Sequence, residues 1–473
     1  GVALQLKDLF DGYVLTDVEN NPESNIVASI ASHVHNSIIV DVRDKEYYEE
    51  AGYEMTYDAT TKTTQDAWNE FKDKCNNKAL VVMPVQTGEL REFAIKNNLF
   101  VINLNKEFNN PSAGQNVALF EEVLNWLEPN SPVYGWEQGV GEDQFVDKVS
   151  QSGNIMVPSD WSYNTSLTSI LYKERQAGMA KVLNPQFIDF EEEGKKYVSY
   201  YLSDGDNIQW MMNGFDGSDY YTHPEANDMK MSFGLPVDNL SMMAPAMMQS
   251  LFEGQASKTS LVQTFGGGYT YADNLGESAN RLENLKYISE ATASHMRQHR
   301  VKVLALIAKD VRSTQSKEAY QAYVDANDQL EGIIAVQYSP YAGGEGDIIW
   351  VKNSKGYDIP VVTVKYSLWN FGDHNNEREG TPTYIANKLN SETSDNPFSL
   401  VSVHAWSKFT DIGDSLDELS ENSGSNIVGA GAAKLNADKL DENFKVVNVE
   451  ELIWRIRMYY RPEQTTKWLK EVF

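Results

Sequence analysis

Asp204 and Asp206 flank a single glycine in the segment Ser203-Asp204-Gly205-Asp206-Asn207. Two carboxylates two residues apart on an extended backbone project to the same side, and Gly205 keeps the space between them open. Such a pair suits cleavage of a glycosidic bond. That reaction commonly needs one carboxyl group as acid for the leaving oxygen and another as nucleophile or base on the opposite face. Crowding of the two raises one pKa, as an acid role requires. Glu345, in the loop Tyr341-Ala342-Gly343-Gly344-Glu345-Gly346-Asp347, is the candidate for the second catalytic group. The plainer account of Asp-Gly-Asp-Asn is a turn with Asx caps.

Residues suited to holding a sugar surround these carboxylates in the sequence. In Gly266-Gly267-Gly268-Tyr269-Thr270-Tyr271 the glycines permit positive φ and close backbone approach. Tyr269 and Tyr271 share a side if the segment is extended. Tyr134-Gly135-Trp136-Glu137 and Asp160-Trp161 place two tryptophans beside carboxylates, a pairing that combines a stacking face with hydroxyl acceptors. Asn207, Asp238, His404 and Trp406 complete the candidate binding set. Each has a structural alternative: a helix cap or salt bridge for Asp238, a hydrogen-bonded core position for His404, plain packing for the aromatics. The loop tryptophans have theirs too, as plugs of a domain junction. Asp373-His374-Asn375 has metal-ligand chemistry, but an exposed polar loop accounts for it as well.

What positions these residues is a repeating pattern. Apolar runs recur at Tyr197–Leu202, Lys230–Leu235, Leu261–Phe265, Lys302–Ala308, Ile333–Tyr338, Pro360–Val364, Ser399–His404 and Lys445–Val449. Their spacing of roughly 30 to 45 residues is that of a βα unit. Helical patterns follow several of them, including Lys317–Leu330 and Val449–Met458, the latter opened by Asn448 as N-cap. The expectation is an α/β protein whose residues 191–473 form an irregular (β/α)8 TIM-like barrel, with no convincing helix after Leu202. Active groups then belong at the C-terminal ends of the strands, where Asp204, Asp238, Tyr269, Glu345 and His404 all fall. Residues 1–130 alternate the buried runs Ser37–Val42, Ala79–Met83 and Leu99–Leu104 with helical patterns, the signature of an open α/β accessory domain. Residues 131–190 are expected to be a loop-like connecting segment whose tryptophans help complete the cleft.

Composition narrows the partners. With 40 basic against 68 acidic residues the net charge is −28, the wrong sign for nucleic acid or an anionic membrane. The single cysteine, Cys75, forms no intrachain disulfide. No apolar run approaches the roughly 20 residues of a membrane span. The chain begins Gly1-Val2-Ala3 rather than at Met, so these residues do not speak to an upstream signal or anchor. The βα turns carry neither G-x-G-x-x-G nor a phosphate-loop lysine motif, and no cofactor is expected.

The glycine-tyrosine stretch resembles the signature of the GxGYxYP family, proposed glycoside hydrolases with a barrel behind α/β N-terminal domains. Gly266, Gly268, Tyr269 and Tyr271 match the named positions, and Ala272 stands where the family has Pro. The Tyr134-Gly135-Trp136, Ser159-Asp160, Ser203–Asn207 and Glu450–Arg455 segments are also similar to the family. The resemblance implies a hydrolase acting on a poly- or oligosaccharide and, since many relatives are exported bacterial proteins, an extracytoplasmic location. Two other functions stay open at this point. One is a glycan-binding protein on a barrel without chemistry. The other is a metal-dependent carbohydrate deacetylase with Asp204, Asp206 and His404 as ligands, although only 7 histidines are scattered along the chain.

Overall fold

The computed structural model describes residues 2–104, 116–137, 139–173, 178–277, 280–370, 377–410 and 427–473. The chain divides into two compact units, Gly1–Ile170 with Leu275–Asn284, and Leu171–Asn274 with Leu285–Phe473.

The first unit contains two parallel sheets. Strands β1 (Gly12–Thr16), β2 (Ser37–Asp41) and β3 (Met55–Asp58) pair in the order β2-β1-β3. Strands β4 (Asn76–Val82), β5 (Leu99–Ile102), β6 (Pro132–Gly135) and β7 (Ile155–Pro158) pair in the order β5-β4-β6-β7. The expected runs became β2, β4 and β5, while β1 and β3 had not been anticipated. The stretch from 131, expected to be loop-like, supplies β6 and β7 with helix Glu142–Gln151 between them. These strands have four residues and a proline each, too short a run for periodicity to register. Helix Thr64–Phe71 starts at a capping box: Thr63 Oγ1 accepts from Asp66 N (3.1 Å) and Asp66 accepts from Thr63 N (2.9 Å).

The second unit is built on one curled, mostly parallel sheet. Its strands are β8 (Lys196–Leu202), β9 (Ser232–Leu235), β10 (Ser260–Thr264), β11 (Val303–Ala308) and β12 (Gly332–Gln337), each paired with the next. Then come β13 (Ile348–Lys352), β14 (Asp358–Thr363), β15 (Tyr366–Leu368), β16 (Glu379–Gly380), β17 (Phe398–Val403) and β18 (Phe444–Val446). All eight expected runs are strands of this sheet. Their continuous apolar character follows from burial on both faces, as in β11, where every residue is buried.

The neighbours are less regular than the eightfold spacing suggests. β14 pairs with β12, and β15 with β17. Only Val364 and Lys365 separate β14 from β15, and there the partner changes: Val364 N donates to Ala335 O (3.2 Å) and Lys365 N to Leu400 O (2.8 Å). One segment thus serves the two ends of the hydrogen-bonded path. β13 runs antiparallel to β14, and β18 pairs with the start of β8. The connection after β8 holds only the five-residue helix Ile208–Met212. Asn448 caps helix Val449–Tyr460, accepting from Glu451 N at 3.0 Å, as its sequence indicated.

A buried polar cluster lies at the N-terminal ends of these strands. Trp454 Nε1 donates to Glu331 Oε2 (2.9 Å), while Glu450 accepts from Ser260 Oγ (2.5 Å) and Leu183 N (3.2 Å). Burial pushes both carboxyls up, Glu331 further so by the charge of Glu450, and burial pushes the Arg457 guanidinium down.

Candidate active site

β8 ends at Leu202, and the chain turns sharply. Asp204 sits in the left-handed region at φ 64°, a conformation that aspartate tolerates better than most residues. Gly205 passes so close to β9 that a Cβ there would lie 2.2 Å from Gly234 O. The glycine between the aspartates is therefore a contact requirement. The extended geometry expected for the pair does not hold, yet both residues line one cavity. Asp204, Asp206, Tyr201 and Ser203 line a cavity of about 20 Å³ with Phe265 and Tyr269. Ile307, Val336, Tyr341 and Ser402 complete its wall.

Asp204 accepts a hydrogen bond from the Ser203 hydroxyl, and its Oδ2 lies 3.9 Å from His404 Nε2. Asp206 is buried. His404, at the end of β17, is itself buried, fixed by Ser407 Oγ at its Nδ1 (2.8 Å) and stacked on Trp369 at 3.6 Å between ring centroids. Tyr341 packs edge-on to the same Trp369.

The glycine-tyrosine stretch follows β10. Its glycines meet both expectations: Gly267 and Gly268 have φ 86° and 151°, and a Cβ at Gly266 would fall 1.7 Å from the Tyr323 hydroxyl. Asp238 secures the turn. Its Oδ2 accepts from Gly267 N (3.0 Å), and its Oδ1 from Gln263 Nε2 (2.9 Å) and Asn239 N (2.8 Å). Burial pushes the Asp238 carboxyl up to about 6 despite these three donors. Asp238 acts here on the loop. The two tyrosine rings pack edge to face at 5.9 Å between centroids: Tyr269 lines the cavity, and Tyr271 is fully buried, packed also on Tyr338, with Lys309 Nζ 5.8 Å from its ring.

Other expected residues lie off the cavity wall. Glu345 has φ 58° and is exposed, with Oε2 3.6 Å from Arg312 Nη2, which makes it a member of a surface ion pair rather than a partner of the aspartates. Asn207 caps helix Ile208–Met212, accepting from Trp210 N at 3.0 Å. Trp406 is 37% exposed and packs on Trp210 at 4.7 Å, forming an aromatic shelf with Tyr220.

Trp136, Glu137, Asp160 and Trp161 belong to the first unit. There Glu137 Oε2 accepts from three successive amides, those of Gly139 (2.8 Å), Val140 (2.8 Å) and Gly141 (2.9 Å), which staples its loop. Asp373-His374-Asn375 lies outside the described residues. Among those that are described, no group of three or more His, Cys, Asp or Glu side chains is placed to hold a metal ion, so the deacetylase alternative gains no ligand set.

Sequence reasoning missed Tyr201, Ser402, Tyr341 and Asp273. Alternation along β8 puts Ser199, Tyr201 and Ser203 on one face, and that signal was available. Asp273 receives Lys309 N (3.0 Å) and Asp310 N (2.9 Å), tying the end of β11 to the turn after Tyr271. Its partners are distant in sequence, so nothing local marked it.

Among the described residues, no helix is long and apolar enough to cross a membrane. A comparison with curated proteins finds no match. The fold is similar to that of a protein from Bacteroides thetaiotaomicron whose crystal structure is described as a putative hydrolase. The TM-score is 0.77 at 19% identity, over 97% of this chain and 82% of that one, a likeness that concerns the fold. Residues 77–170 match the model of the GxGYxYP third domain. Residues 194–431, which hold the cavity, match the GxGYxYP putative glycoside hydrolase C-terminal domain. The chain belongs to the GxGYxYP family.

Proposed function

We propose that the chain hydrolyses a glycosidic bond at the cavity above β8, with Asp204 and Asp206 as the two carboxyl groups. One observation carries this reading: both aspartates, on a turn that holds Asp204 in the left-handed region, face one aromatic-lined cavity at the C-terminal edge of a curled parallel sheet. Its volume of about 20 Å³ accommodates a water, which needs about 10–15 Å³ by this measure. The sugar would then sit at the rim, with Tyr269 as its nearest aromatic support, and water would be held against the carboxylates. Asp204 and Asp206 share the acid and nucleophile/base roles, and His404 positions Asp204. Glu345 leaves the catalytic pair in this proposal.

The eight-place barrel and the polysaccharide class are parts of the same proposal, supported by the curled sheet and the family's described activity, and an extracytoplasmic location is proposed with them. The test is release of new reducing ends from a panel of plant and microbial polysaccharides. Cleavage of at least one by the wild type, lost when Asp204 and Asp206 are both changed to Asn, is the expected result. Retention of cleavage in that double variant would refute the assignment, and no cleavage of any polysaccharide would refute the activity.

A further inference from the structure

The cavity at Asp204 and Asp206 has a volume of about 20 Å³. That is room for a water and too little for a sugar ring, so the rings on either side of a bond cut there must rest outside it. Tyr269, 5% exposed, meets only part of that need. Trp406 is 37% exposed, and its surroundings fix it beside the same turn.

Both chain neighbours of Trp406 are tied to groups that touch Asp204. On one side, Ala405 N donates to Ser203 Oγ (3.1 Å), and the Ser203 hydroxyl donates in turn to Asp204. On the other, Ser407 Oγ accepts from Asn370 N (2.9 Å) and bonds His404 Nδ1 (2.8 Å). His404 Nε2 then lies 3.9 Å from Asp204 Oδ2. Trp406 cannot drift away from the aspartate without breaking these bonds.

The ring itself is backed by others. Buried Trp210 packs on it at 4.7 Å between centroids, and Tyr220 meets it edge-on at 6.5 Å. Trp210 is held edge-on in turn by Phe215 and Tyr220, each at 4.9 Å. The Tyr220 hydroxyl donates to Ala405 O (3.2 Å). Burial, then the charges of Asp219 and Asp204, push that hydroxyl's pKa up, so the shelf lies within electrostatic reach of the catalytic turn. An aromatic side chain held this way has little freedom left to lose when a ligand stacks on it, and that ordering is a main cost of binding. The apolar C–H face of a sugar ring is a ligand of matching shape and polarity.

We propose that Trp406 is the platform of a sugar subsite beside the cleavage point. The substrate is then a chain of at least two rings, one lying on Trp406 while the bond next to it is presented to Asp204 and Asp206. The place of the bond rests on the hydrolytic reading above, whereas the stacking of a ring on Trp406 does not, so the test reads binding without cleavage. Binding of cellohexaose, maltohexaose, xylohexaose and laminarihexaose to the full chain carrying Asp204→Asn and Asp206→Asn is measured by titration calorimetry. The expected result is saturable binding of at least one hexasaccharide, with Kd raised about tenfold or more by Trp406→Ala in the same background. Trp406→Leu keeps apolar bulk against Trp210 but no flat face, so it should weaken binding as much and decides the matter if Trp406→Ala fails to fold. Trp406→Phe, which keeps a flat face, should bring Kd back to within about threefold of the parent. The proposal is overturned if no hexasaccharide binds, or if Trp406→Ala and Trp406→Leu bind as the parent does. Binding through Trp406 by a chain whose wild type cuts none of these glycans would leave the subsite standing and count against the hydrolysis alone. Cleavage by the wild type with Kd indifferent to Trp406 would do the opposite.

Discussion

The two ends of the curled sheet in the second unit both bury carboxyl groups, and they handle them differently. At the N-terminal end, Glu331 and Glu450 are 3% and 2% exposed and bonded to Trp454, Ser260 and the Leu183 amide. At the C-terminal end, Asp204 and Asp206 face a cavity, on a turn whose backbone is held by close approach to β9. A perturbed carboxyl is therefore a poor guide by itself. The clearer mark of chemistry is a carboxylate with space in front of it and a scaffold that holds it there.

Substitutions at the two ends separate these roles. Asp204→Asn and Asp206→Asn are each expected to lower kcat by about 10²–10⁴-fold, the usual contribution of a positioned acid or base, with the thermal midpoint little changed. Glu331→Gln should leave kcat within about twofold. Equal losses of activity at the two ends would erase the distinction.

Gly266→Ala sets the glycine loop against Tyr323 and should destabilise by about 1–3 kcal/mol in urea unfolding, with partial recovery on adding Tyr323→Phe. A neutral effect would mean that the loop has slack the structure does not show.

Glu331→Gln brings a smaller, pH-dependent effect. The native pKa of Glu331 is raised above its unfolded value of about 4.3. The carboxyl thus costs nothing below that value, and native stability falls as pH climbs from there through the raised native value. The variant should gain on wild type between pH 5 and pH 9, by on the order of 1 kcal/mol, seen as a widening gap in Tm. A gap that is flat or narrows with pH would show Glu331 to be ionised in the native state throughout.

Glu345→Gln ought to matter least, less than twofold in kcat and about 0.5 kcal/mol or less in stability, since it removes an exposed ion pair with Arg312.

Much of the scaffold was legible because burial on both faces writes parallel strands as unbroken apolar runs. Every expected run of the second unit became a strand, and Asn448 capped its helix. What escaped was geometry set by distant partners. Nothing near Val364 announces that its neighbour changes from β12 to β17. Gly205 reads as turn composition, yet its reason is Gly234 on another strand. The candidate site divides the same way. Asp204 and Asp206 were legible from spacing at a strand end, and Tyr269 from its glycine loop. Glu345 is exposed beside Arg312, which its sequence did not foretell, because a glycine-flanked acid at a strand end says nothing about which way the loop turns. The same spacing did not tell Tyr269, at the cavity, from Tyr271, buried against it.

The central claim rests on which carboxylates do the work. The direct measurement is the initial rate of reducing-end release from the best polysaccharide by wild type, Asp204→Asn, Asp206→Asn and Glu345→Gln, each verified as folded by its thermal midpoint. The account predicts collapse of the rate in both aspartate variants and a near wild-type rate for Glu345→Gln. Full rates in either aspartate variant, or collapse in Glu345→Gln, would contradict it.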